Sequence, residues 1–287
     1  HAPGAGFHFY DLIFPLFAFV MGVSLVFSLS KSVATSGRRA ATLKILKRGA
    51  LLWLLGVLVY GGIRGGIDQV RLLGVLQRLA WGFLGAGLAF VWLNPRQWVV
   101  LTVSLLAGYW ALLTFVPVPG FGAGDFAEGR NLANWIDKMW LPFRKWDGDH
   151  DPEGLLSTLP AVATSLLGVL AGMLLKDPAV EPMRKVRLLV GWGVAGIALG
   201  LLWHLQFPII KKLWTSSYVL LTAGISAVLT AFFYQMIDIR RKRSWCQPFV
   251  WIGMNAITIY LLVHFVKLHA IAGCFTGGEV HKTLESA

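Results

Sequence analysis

No stretch of this 287-residue chain is polar enough and long enough to form a soluble domain, and no repeat of fixed period runs through it. No cleavable signal peptide is visible in it either, since the first apolar run is too long for a signal's apolar region. Cysteine is scarce: Cys246 and Cys274 are the two, and neither has a metal-ligand partner at a telling spacing. No metal site is read from the sequence. Acids number 14 against 26 lysines and arginines, giving a net charge of +12 and a pI near 10.0.

What the chain does have is apolar length. Hydrophobic residues make up 56% of it, tryptophans number 13 and mean hydropathy is +0.65, the composition of a polytopic membrane protein. Eight runs approach the roughly 20 apolar residues that cross about 30 Å of hydrocarbon. They are Tyr10–Leu29, Ile45–Ile63, Leu72–Leu93, Trp98–Val116, Leu155–Leu175, Leu188–Phe207, Tyr218–Ile237 and Pro248–Leu268. The expected fold is an all-α transmembrane bundle of about eight helices, a single domain over 1–287 with one long loop at 117–154. The chain starts at His1 rather than Met, so it reads as a fragment lacking upstream sequence.

Numbering the connections alternately sorts the charge. One side holds 15 basic residues, from Lys31 and Arg38 to Arg243, against three acids, Asp177, Glu181 and Asp238. The other side is neutral. Lysine and arginine in short loops mark the cytoplasm, so His1 and the 117–154 loop face outward, to a periplasm if the membrane is a bacterial inner membrane. The same bias accounts for the high pI without nucleic acid. It also puts Cys246 and Cys274 on opposite sides, where they cannot pair.

Several polar residues stand where lipid would not tolerate them unless they face the bundle interior. Arg71 and Arg78 are seven apart at the outer end of the third run, a spacing that places both on one helix face. Arg78 lies inside the apolar run, as a paired structural arginine or an anion site; Arg71 can snorkel to the interface. Gln77 accompanies them, and Asn255 interrupts the last run. Asp151-Pro152-Glu153-Gly154 has the acid, proline and second acid of a helix start, and Asp11 can cap the first span similarly. Asn131–Pro142 can form an amphipathic helix at the interface with Trp135 and Trp140 as anchors, or a solvated loop. His204 and His264 read as packed rings. His8 and His1 precede the first span near Asp11, and a histidine beside a carboxylate can act as a base.

Five stretches in order resemble one family. They are His1-Ala2-Pro3 with Gly6 and Asp11-Leu12-Ile13-Phe14-Pro15; Arg71 through Arg78; Asp151 through Pro160; Leu213-Trp214-Thr215-Ser216-Ser217-Tyr218-Val219; and Trp251 through Ala256. They resemble the heparan-α-glucosaminide N-acetyltransferases and their bacterial relatives. The resemblance implies a transmembrane acyltransferase that moves acetyl from cytosolic acetyl-CoA to the amine of a glucosamine-type sugar on the outer or luminal side. It places the catalytic histidine at His1, with Asp11 to orient it. It puts substrate and donor contacts at Arg71, Gln77, Arg78, Asp151, Glu153, Trp214, Ser216 and Asn255. Gly4-Ala5 departs from the family's Trp-(Asn/His) pair. The implied partners are an amino-sugar or glycan acceptor and membrane lipid, with a homodimer left open. The alternative is an inner-membrane transporter of N-acetylglucosamine or a related sugar, with Gln77, Arg78 and Asn255 lining the path.

Overall fold

The computed structural model describes residues 8–265, and for 263–265 the backbone alone. His1, Gly4, Ala5 and Cys274 therefore lie outside the described residues, as does the His264 side chain. Residues through Arg240 form one compact unit and those from Arg241 a second. Among the described residues every regular element is helical.

Six of these helices are long and apolar enough to span a membrane, where eight were expected. Two differences account for the change. The first two runs fuse into α1, Ile13–Val59, whose 47 residues would reach about 70 Å if straight. α1 is not straight. Gly37 departs from helical geometry with φ 78° and ψ 169°, a region that is essentially glycine's alone. Lys44 Nζ then donates to Ser32 Oγ at 3.1 Å, although twelve residues of continuous helix would part them by about 18 Å. α1 is thus two legs folded back on each other around Gly37.

The second difference is the last run. In the second unit it divides into α8, Gln247–Met254, and α9, Ala256–Phe265, each too short to span. Asn255 makes the break: its Nδ2 donates to the Trp251 carbonyl at 2.8 Å, and its own N–H turns to Ile252 instead. A side-chain amide here competes for the backbone acceptor that a continuing helix would use.

The remaining spans of the first unit are α2 (Val75–Trp92), α3 (Pro95–Phe115), α5 (Thr158–Lys176), α6 (Pro182–His204) and α7 (Ser216–Tyr234). The short α4, Leu132–Trp140, lies in the long connection between α3 and α5. It is the helix that was one of the two readings of Asn131–Pro142, capped by Asn131, whose side chain accepts from the Asn134 N–H. Trp140 is exposed, while Trp135 packs against a core of Tyr109, Phe207 and Leu213.

Small residues let the spans approach, as lipid-embedded helices require. A Cβ on Gly168 of α5 would strike the Phe19 carbonyl of α1, and one on Gly22 of α1 would strike the Ser165 carbonyl. Gly224 of α7 meets α6 at Gly193 in the same way. The Gly37 turn and the α2–α3 turn meet at one end of the unit, where Arg38 lies over the Trp92 ring and Trp92 Nε1 donates to Thr42. At the other end the chain before α1 and the connections α1–α2, α3–α5 and α6–α7 come together.

Candidate functional site

That second end is built on two arginines. Arg71 and Arg78 do not share a helix face, contrary to the sequence expectation: residues 70–74 are not helical, and α2 begins only at Val75. Gly74 explains the late start, since a Cβ there would collide with the Tyr60 ring and the Gln77 amide. Arg71 thus precedes the helix, and Arg78 sits in its first turn.

Arg71 is 4% exposed and paired through two of its guanidinium nitrogens. Its Nε and Nη2 donate to both oxygens of Asp151, at 2.8 and 2.7 Å, and Nη2 also donates to Glu153 at 2.7 Å. Tyr60 and Trp146 cover the guanidinium with ring centroids at 4.4 and 4.8 Å. Burial opposes its charge, but the hydrogen bonds and charge of Asp151, with Glu153, hold its pKa above that of a free arginine. Burial pushes the Glu153 carboxyl upward against the pull of Arg78 and Arg71. A bidentate, stacked pair of this kind needs arginine's planar fork.

Arg78 is buried as deeply and is far less satisfied. Its Nη2 donates to the Pro152 carbonyl at 2.9 Å and to the Ser157 hydroxyl. Its guanidinium lies 4.7 Å from the centroid of Trp214. Its Nε has no partner, and no carboxylate of the described residues pairs with it within 4 Å. On the preceding residue, buried Gln77 donates to the Arg71 carbonyl at 3.4 Å and leaves Oε1 without a donor.

The 151–157 segment serves both arginines. Asp151 and Glu153 are not the cap of α5, as their pattern suggested; the helix begins later, at Thr158. The segment is instead a turn whose Asp151, Pro152, Glu153 and Ser157 all point at Arg71 or Arg78. From behind it is held by Asp137 of α4, whose carboxylate accepts the N–H groups of Leu155 at 2.9 Å and Asp151 at 3.3 Å.

The α6–α7 connection supplies the opposite wall. Trp214 takes a positive φ of 53°, donates through Nε1 to Thr164 of α5 at 3.1 Å, and meets Phe14 and Tyr218 edge-on. Ser216 donates to the Leu106 carbonyl at 2.7 Å, a structural bond that ties α7 to α3. Tyr218 donates to the Asp11 carbonyl at 2.6 Å. The Asp11 carboxylate accepts the His8 N–H at 2.9 Å and pairs with Lys211 at 2.9 Å, with His8 Nδ1 3.6 Å away. His204 accepts the Ile209 N–H, as a packed ring would. Asn255 belongs to the second unit, where its side chain bonds the Trp251 carbonyl.

One further cluster clamps the long loop to the α6–α7 connection. Glu128, Asp147 and His150 bring their ligand atoms within 4.8 Å of one another, a grouping fit for a cation. The Lys212 ammonium takes that role, at 2.6 Å from Glu128 and 3.0 Å from Asp147. Its hydrogen bond holds the Glu128 carboxyl below its ordinary range.

Of the residues named from the sequence, the structure brings Asp11, Arg71, Gln77, Arg78, Asp151, Glu153, Trp214 and Ser216 to one end of the first unit. Sequence reasoning missed Asp137 and Tyr60, whose roles arise from contacts that no local spacing encodes.

The fold and this site define a polytopic helical membrane protein with a buried, arginine-centred polar cluster at one end. No family model matches the chain. Over 320 aligned residues it is 28% identical to the heparan-α-glucosaminide N-acetyltransferases of Homo sapiens and Mus musculus, which places it in a family-level relationship with them. Each match covers 91% of this chain and 48% of the relative, so the chain spans about half the length of the curated relatives it matches.

Proposed function

We propose that this bundle belongs to a transmembrane N-acetyltransferase that takes acetyl from acetyl-CoA on the cytosolic side. The acceptor is the amine of a glucosamine-type sugar on the other side. One observation above all supports the reading. Residues spread from Asp11 to Tyr218, drawn from four of the sequence stretches that resemble the family, meet around Arg78. The charge asymmetry supports the orientation: the Gly37 end carries the basic excess and faces the cytosol, and the arginine cluster faces the periplasm of a bacterial inner membrane.

The chemistry asks for few parts. The sugar amine attacks the thioester carbon, an oxyanion develops on the carbonyl oxygen, the C–S bond breaks to release CoA thiolate, and the ammonium proton leaves to a base. His1, by resemblance, is that base or carries the acetyl group itself. Arg78 has an unused Nε–H donor in a buried setting, the type of group that stabilises developing negative charge. Arg71, paired with Asp151 and Glu153, holds the Asp151–Ser157 turn in place.

The test is transfer of labelled acetyl from acetyl-CoA to a panel of amino sugars, in membranes holding the full-length protein. Transfer lost in His1→Ala and in Arg78→Met, with insertion intact, supports the proposal. Uptake of labelled amino sugar by vesicles lacking acetyl-CoA, with no acetylated product, would overturn it in favour of a transporter.

A further inference from the structure

Asp137 is 1% exposed, yet it forms no ion pair among the described residues. Its two oxygens are spent on backbone: Oδ1 accepts the Leu155 N–H and Oδ2 accepts the Asp151 N–H. These two amides bracket the turn that faces the arginines. Between them Asp151 and Glu153 bind Arg71, and Pro152 accepts from Arg78; just beyond them Ser157 accepts from Arg78 as well. The turn is closely fitted to the carboxylate, because a Cβ on Gly154 would collide with it. Asp137 itself is fixed by α4, whose Leu132 and Ala133 lie in the core with Tyr109 and Phe207.

We propose that Asp137 is a positioning residue for acetyl transfer: its ionised carboxylate, through the amides of Asp151 and Leu155, sets the turn that presents Pro152 and Ser157 to Arg78. The inference rests on the transferase reading given above. Its chemistry is a matter of acceptor count. An ionised carboxylate offers two acceptor oxygens, whereas the protonated acid keeps one and turns the other into a donor. A proton on Asp137 therefore costs the turn one of its two amide bonds. Burial brings that proton within reach of ordinary conditions, raising the carboxyl to about 6. The charges that bear on it are Asp151, which raises it further, and Arg78, which lowers it; the two amide bonds also favour the ionised form. Tyr109 of α3 is the other ionisable group that senses it.

Asparagine stands in for the protonated acid: it keeps one acceptor oxygen, puts a donor NH2 in place of the other, and has nearly the same shape. Asp137→Asn should therefore behave at pH 7.5 as the wild type does below its transition. In the full-length protein, the ratio of wild-type to Asp137→Asn transfer rates should rise through pH 6, because the titration of a histidine base is common to both and divides out. The variant should run at least tenfold slower at pH 7.5, with both forms alike at pH 5. A purely structural role would lower the variant's rate by the same factor at every pH, and that constant ratio would overturn the proposal. Hydrogen exchange of the 151–155 amides gives a readout that needs no activity. At pH 7.5 they should be protected in the wild type and at least tenfold less so in Asp137→Asn. If no variant transfers acetyl but exchange follows this pattern, the transferase reading fails and the role of Asp137 in the turn stands. Exchange unchanged in Asp137→Asn would sink the role itself.

Discussion

Two arginines seven residues apart meet opposite ends. Arg71 spends its fork on Asp151 and Glu153 and is closed off by Tyr60 and Trp146; Arg78 keeps a donor in reserve. Their substitutions should differ accordingly. Arg71→Met leaves Asp151 without its buried partner, and removing one side of such a pair costs about 3–5 kcal/mol; thermal unfolding in micelles should show a clear loss of stability. Arg71→Lys should recover little, since an ammonium has neither the planar fork nor the stacking face. Arg78→Lys should leave the unfolding temperature nearer the wild type while slowing acetyl transfer about 100-fold or more, the usual consequence of losing one aligned donor to an oxyanion. A matched pair of unfolding curves and single-turnover rates separates the two. The stability contribution of Asp137 has the reverse sign. Burial raises its carboxyl from 3.8 to about 6, so its contribution is complete below pH 4 and is lost as pH rises through 6. The ionised form proposed to set the turn is thus the one the fold tolerates less well. Arg78 stood out in the sequence because a charge inside an apolar run needs an explanation. Asp137 did not, because its partners are backbone amides 14 and 18 residues away.

Among the elements, α1 keeps the two apolar runs of its sequence as two legs, joined by a turn at Gly37 that apolar length did not show. Apolar length alone gave two spans, and the structure joins them as one helical segment folded at Gly37. Any residue with a Cβ is strained at φ 78° and ψ 169°, so Gly37→Ala should cost about 1–3 kcal/mol. Nothing crowds the site, and open space around Gly37 makes the backbone angle the sole cause. Gly168→Val tests a different mechanism, since its side chain would be driven into the Phe19 carbonyl and part α1 from α5. Overpacking of this kind costs about 1–3 kcal/mol, and both variants are read by thermal unfolding in micelles. Helix lengths and the amphipathic α4 were legible from composition and period. The non-helical stretch at 70–74 was not, since its apolar residues read as helix while Gly74 packs tightly under Tyr60. Asn255 was legible as a polar intrusion, but its bond to Trp251 turns it into a helix break.

At the scale of the molecule, the charge pattern separates the two ends of the first unit, and this makes orientation measurable. With Cys246 and Cys274 replaced by serine, a cysteine at exposed Trp146 should react with an impermeant maleimide in intact cells. One at exposed Arg39 should react only after permeabilisation. The reverse labelling would invert the proposed direction of transfer.

The pairing of Arg71 also has a consequence for how the chain is made. Its partner Asp151 follows 80 residues later, and the Ser157 that accepts from Arg78 follows 79 residues after that arginine. At about 5–20 residues per second, each guanidinium waits roughly 4–16 s for its partner to emerge from the ribosome. The two legs of α1 can pair within the first sixty residues, but the charged end of the nascent bundle stays open until the long loop has been translated. During that interval the insertion machinery, and not the fold, has to shelter two arginines from the bilayer.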